Sequence, residues 1–171
     1  MASKTYLYQP DKKLLSQGAV LTDESGAAIY EARMTKRALL GPMQFEFVNH
    51  LTHQTTPHKV GHTVTTETST NGVTDLFSTK SRFKLDGKNI WDLLHEEGIR
   101  INSRMSSGKL GMTYDVTLKG QPLATLATAT PGGKSILTSA HCYQVTADEE
   151  SLDLAFLVTF AIARTEQVFY S

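Results

Sequence analysis

Four histidines, His50, His53, His58 and His62, crowd one stretch of the chain, and imidazole is a favoured zinc ligand. Their spacing argues against a shared ion. On a strand, His58 and His62 stand about 13 Å apart at ~3.3 Å per residue, whereas ligands of one zinc each lie about 2 Å from it. No cysteine lies nearby, so solvated or hydrogen-bonded loop histidines are expected, with no metal. His141-Cys142 suggests a thiol nucleophile beside its base. Strand neighbours point to opposite faces, so this imidazole cannot activate this thiol, and a small buried core residue is the expectation for Cys142. "PGGKS" ends like a phosphate-binding loop, but the first glycine of G-x-x-x-x-G-K-[ST] is replaced by Thr128. The strand-like "ILTSAHCYQV" follows where a helix N-terminus is required, so this is a hairpin turn. With no triad, carboxylate pair or dinucleotide signature, the expectation is a protein that is not an enzyme and needs no cofactor.

The charged strands offer more. In "KSRFKL", Lys80, Arg82 and Lys84 alternate with Ser81, Phe83 and Leu85; in "IRINSRM", Arg100 and Arg104 lie opposite Ile99, Ile101 and Met105. If the two strands are neighbours, these five cations form one outer face able to hold anionic phospholipid or phosphoinositide head groups. The simpler reading is a solvated face whose charges discourage edge-to-edge pairing. It leaves a protein-interaction or scaffold domain with no small-molecule ligand.

Composition narrows the partners. The chain has 171 residues with 17 basic and 17 acidic side chains and no net charge, which argues against wholesale nucleic-acid binding. One cysteine allows no intrachain disulfide and suits a reducing compartment. "MASKTYLYQPDKK" lacks the apolar core of a signal peptide. Leu154 to Ala163 is uncharged but covers about 15 Å as a helix, against the roughly 30 Å of a bilayer core. A single cytoplasmic domain over 1–171 is expected, without a transmembrane segment.

The elements that must position these residues are mostly short strands. Turn signals recur at Asp23-Glu24-Ser25-Gly26, Asn71-Gly72, Lys119-Gly120 and Pro131-Gly132-Gly133. "QFEFV" sets Phe45 and Phe47 on one face and Glu46 on the other. "NIWDLLHEEG" predicts a short surface helix with Asn89 as its N-cap and Gly98 past its end. "DEESLDLAFLVTFAIAR" predicts a helix with carboxylates at its start, Arg164 near its end, and a capping box between Thr146 and Glu149. That helix is apolar on every side and must be buried all round. In a chain otherwise made of strands, a barrel enclosing the helix achieves this. The expected fold is a closed antiparallel β-barrel of about 12 strands around the C-terminal helix.

Such a barrel resembles the tubby C-terminal-like superfamily, which includes phospholipid scramblases and the LURP-one-related proteins. "YLYQ" resembles the first strand of the LURP-one-related group, "LTDESGAAIYEARM" its Asp-x-x-Gly hairpin, "YDVTLKGQPLATL" the matching hairpin of the second half, and "LDLAFLVTFAIA" the closing helix. "PMQFEFVNHLTHQTTPHKVGHT" departs from that pattern, leaving register open between Gly41 and Thr63. What the resemblance implies about activity is limited to lipid: tubby domains bind phosphoinositides and scramblases act on lipids, while most LURP-one-related proteins have no established activity.

Overall fold

Turn chemistry sets the strand breaks. The structure, a computed structural model, describes residues 3–10, 18–36, 42–70, 75–105, 111–129 and 142–170, with 62–70, 75–83 and 165–170 described by backbone alone. Strands β1 (Lys4–Pro10), β2 (Ala19–Thr22), β3 (Ala28–Lys36), β4 (Met43–Asn49), β5 (Gln54–Thr70), β6 (Asp75–Leu85) and β7 (Lys88–Asn89) form one antiparallel meander. Asp23 closes the β2–β3 turn: its Oδ1 accepts from the amides of Ser25 and Ala27 and from the Ser25 hydroxyl. The Ser25 hydroxyl, with backbone amides, holds that carboxyl below its usual range. Asn49 closes β4–β5 in the same way, accepting from the amides of Leu51 and Thr52. The register left open around the histidines is therefore a β4–β5 hairpin, pairing Met43 with Val60 through Asn49 with Gln54.

A second meander comprises β8 (Ile99–Met105), β9 (Met112–Leu118), β10 (Gln121–Thr128) and β11 (Tyr143–Ala147). Pairing of β11 with β1 joins the two into an eleven-stranded sheet. Helix α2 (Leu152–Tyr170) follows a 3-10 turn at Glu149–Ser151. It buries Leu152, Ala155, Phe156, Val158, Phe160, Ala161 and Ile162 in one core with side chains of the sheet. Phe156 alone touches the rings of Tyr8 on β1, Tyr30 on β3 and Phe47 on β4. The one hydroxyl in this apolar stretch, Thr159, donates to the Ala155 carbonyl at 2.7 Å, so its burial leaves no unmet donor.

Three expectations are corrected. The sheet does not close: among the described residues, β7 and β8 are its two edges. After the Asp86-Gly87 turn, β7 runs for only two residues before Asn89 caps helix α1 (Ile90–Glu96). Among the described residues no ladder passes from β7 to β8, and α1 packs against β6, β7 and β8. The Thr146–Glu149 capping box does not form either. Thr146 lies within β11, Asp148 occupies the cap without bonding the turn's amides, its Oδ1 accepting instead from the Ser3 hydroxyl, and Glu149 pairs with Lys4. Helix α2 also continues beyond Arg164, which is only 5 % exposed. The guanidinium lies over the rings of Phe45 and Phe160, at 5.1 and 4.9 Å from their centroids. Burial lowers its pKa to about 10.

Candidate interaction site

The seam between α1 and β8 gathers the site. Asn89 Oδ1 accepts from the amides of Trp91 (2.9 Å) and Asp92 (3.4 Å), fixing the start of α1 as the asparagine predicts. Ile90 and Leu94 are buried, and Trp91 is half-buried. Gly98 then turns the chain into β8 with φ +89°; a Cβ there would meet Lys119 Cγ at 2.8 Å. Glycine is required on both counts.

Among the described residues, strand β8 pairs only with β9, from Ile99↔Leu118 to Met105↔Met112. The Lys119 amide donates to the Gly98 carbonyl at 2.9 Å. Antiparallel alternation from that bond turns the N–H and C=O of Arg100, Asn102 and Arg104 toward β9. The same groups of Ile99, Ile101, Ser103 and Met105 point the other way, off the sheet. Arg100 Nη1 donates to the outward carbonyl of Ile99 at 2.9 Å. From Ile101 to Met105, no described strand meets the outward row.

Side chains follow the same alternation. Ile99, Ile101, Ser103 and Met105 share the inner face with Leu118, Val116, Tyr114 and Met112. Ile99 and Val116 are buried, but burial fades along β8, and Met105 is 73 % exposed. The inner face is thus uncovered at that end. Between α1 and β8 lies a cavity of about 340 Å³ lined by Trp91, Leu94, Ile101, Tyr114 and Ile162 of α2, with Arg100 also on its wall. Such a cleft takes an apolar group inward and a polar or anionic group at its rim.

No protein-family model matches the chain, and no curated protein sequence does. The reading of the site therefore rests on its own residues.

The five expected cations divide. β6, carrying Lys80, Arg82 and Lys84, and β8, carrying Arg100 and Arg104, are not paired in the sheet and lie toward its opposite ends. Lys84 and Arg100 are exposed, on strands that both pack against α1. Arg104 Nε bonds Asp115 Oδ2 at 3.1 Å. The side chains of Lys80 and Arg82 lie outside the described residues.

The histidines also separate. His50 Nε2 lies 2.9 Å from Glu31 Oε1, and His58 Nδ1 lies 2.8 Å from Asp86 Oδ2. His53 occupies the β4–β5 turn with φ 59°, and the His62 side chain lies outside the described residues. Among the described residues, no group of three or more His, Cys, Asp or Glu is placed to hold a metal. Asp86 instead straps the β6–β7 turn to β5: its Oδ1 accepts from the Lys59 amide, and its own amide donates to the Lys59 carbonyl. Burial pushes Glu31 up, but Arg33 and His50 outweigh it and hold the carboxyl below its usual range. Cys142 is buried just before β11, while His141 and the PGGKS segment lie outside the described residues.

Sequence reasoning points to Arg100 and Arg104 but misses Trp91, Leu94, Tyr114 and Ile162 as a cleft. The helical spacing around Trp91 was the available signal for a covering helix. That the sheet ends beside it depends on strand order.

Proposed function

We propose that the protein is a non-enzymatic, tubby-like interaction module whose binding surface is the cleft between α1 and β8. One observation carries this reading: the outward backbone row of β8, which no described strand pairs, meets a cavity with an apolar wall of Trp91, Leu94, Ile101, Tyr114 and Ile162 and a polar rim of His95, Arg100 and Asn102. The eleven-stranded sheet around an apolar helix supports the likeness to the tubby-like architecture. A cytoplasmic setting belongs to the same proposal. No helix among the described residues is long and apolar enough to cross a membrane.

Trp91 tests the cleft directly, because it is the chain's one tryptophan and lines the cavity. Anilinonaphthalene sulfonate, an apolar ring system carrying one anionic group, matches the wall chemistry. The native protein should bind it with energy transfer from Trp91, and Ile101→Asp should abolish the transfer while leaving the circular dichroism unchanged. Native protein that shows no transfer refutes the cleft.

A second reading, attachment to an anionic phospholipid surface, draws on the exposure of Lys84, Lys88 and Arg100 around α1. Each cation near such a surface contributes about 1 kcal/mol, screened by salt.

A further inference from the structure

The geometry points to strand addition: β8 receives an extended segment of a partner protein in which apolar and acidic residues alternate. The inference rests on the cleft as the binding surface and specifies what enters it. An incoming strand has its hydrogen-bond partners already oriented, because the N–H and C=O of Ile101, Ser103 and Met105 point away from β9. Its side chains would alternate with those of β8. Those on the inner side fall beside Ile101, Ser103 and the exposed Met105, over the cavity lined by Trp91, Tyr114 and Ile162. Apolar residues are required there. Those on the outer side fall beside Arg100, Asn102 and Arg104, two cations of which Arg104 bonds Asp115 at 3.1 Å. Acidic residues complement that face.

Charge also argues against a second copy of the chain as the occupant. Antiparallel pairing of two β8 strands about Asn102 sets Arg100 opposite Arg104 at both ends. Like charges directly opposite are destabilising. The arginines thus protect the edge from itself while remaining compatible with an acidic strand.

The probe is an N-acetylated, C-amidated heptapeptide alternating glutamate and valine, titrated into the full chain with Trp91 fluorescence as the readout. It should bind and shift the Trp91 emission; the lysine–valine counterpart should bind at least tenfold more weakly. Ser103→Pro removes an outward N–H without breaking a bond to β9. It should weaken the glutamate–valine peptide about fivefold, the loss of one backbone hydrogen bond. Alternate N-methylation of the peptide should abolish binding when it blocks the edge toward β8 and spare it when it blocks the other. Equal binding of both peptides overturns the charge argument, and insensitivity to both Ser103→Pro and N-methylation overturns strand addition. If the sulfonate dye binds and the glutamate–valine peptide does not, the cleft stands and this inference fails. If neither binds, both fail. Tight binding to anionic vesicles with no response to the peptide assigns the surface to lipid instead.

Discussion

Replacing Phe156 by alanine should cost about 3–5 kcal/mol of stability, more than truncation of any other described side chain in α2. The side chain is fully buried and lies at the crossing of four rings: Tyr30 at 4.4 Å, Phe47 at 5.4 Å, Tyr8 at 5.6 Å and Phe160 at 6.3 Å between centroids. Buried Phe→Ala changes cost about 3–5 kcal/mol through lost transfer energy and the cavity left behind. Each aromatic contact adds roughly 0.5–1.5 kcal/mol beyond area, and partial collapse of the strands onto the gap recovers some of it. The upper half of the range is therefore expected. Against a domain stability of about 5–15 kcal/mol, about a quarter or more of the total is lost. Urea unfolding followed by Trp91 emission measures it: at an m-value of about 2 kcal/mol/M, the midpoint falls by roughly 2 M. Leu157→Ala, at a half-buried position of the same helix, is the comparison and should cost distinctly less. A Phe156→Ala loss below about 1 kcal/mol, or one equal to that of Leu157→Ala, refutes the sheet-enclosed helix.

Asn89→Ala removes the acceptor at the start of α1 and should cost about 1 kcal/mol, with a shift in Trp91 emission as the helix end frays; an unshifted spectrum and melting temperature count against the cap. Above pH 10 the protein should lose stability. Burial raises the pKa of the Tyr8 phenol, and burial followed by the bond to Asp153 raises that of Tyr30, so both stay protonated when folded after their unfolded counterparts ionise. The contribution is present below the unfolded pKa of about 10 and lost above it. Arg164, held down to about 10 when folded, works the other way between that value and its unfolded pKa, one group against two. Denaturant midpoints from pH 9 to 11 should fall, less steeply in Tyr8→Phe; a flat profile contradicts the burial of both phenols. For the lipid reading, association with anionic vesicles should weaken with salt and with joint replacement of Lys80, Arg82 and Lys84 by serine, neutral vesicles giving none. Absence of association at low salt removes that reading.

What is legible in the sequence is whatever short-range chemistry decides. Asp23 and Gly26, Asn89 and Gly98 each act on neighbours within a few residues, and the turn and cap stand where those residues place them. The apolar run from Leu154 has no polar side to turn to solvent, and from Val158 to Ala163 every residue is buried, with Leu154 and Leu157 half-buried. Asp86-Gly87 is as strong a hairpin signal as any in the chain and explains why β7 follows β6 at once. Closure of the sheet is a different kind of property. It depends on which strands meet across the whole fold, and among the described residues no ladder passes from β7 to β8. Arg164 is similar: its position near a helix end suggests a solvated cation, yet Phe45, distant in sequence, arrives to cover it. Neither outcome is encoded in spacing.

An open edge beside an apolar cavity is ordinarily an aggregation hazard, and the chain manages it with the residues that also define the site. The Arg100 guanidinium covers the outward carbonyl of Ile99, shortening the available row to the part beyond Ile101. Helix α1 packs against β6, β7 and β8 with Ile90 and Leu94 buried, covering apolar side chains at the seam. Arg104, exposed and tied to Asp115, places a charge where a second β8 would bring its own. These features leave a short edge with cations outside and a hydrophobic recess inside. Reversing the charges should therefore separate protection from recognition. Arg100→Glu combined with Arg104→Glu puts carboxylates opposite carboxylates in the same self-pairing register, so the chain should remain monomeric by sedimentation. The peptide preference should invert at the same time, from glutamate–valine to lysine–valine. A variant that stays monomeric without inverting its preference would show that the arginines only guard the edge.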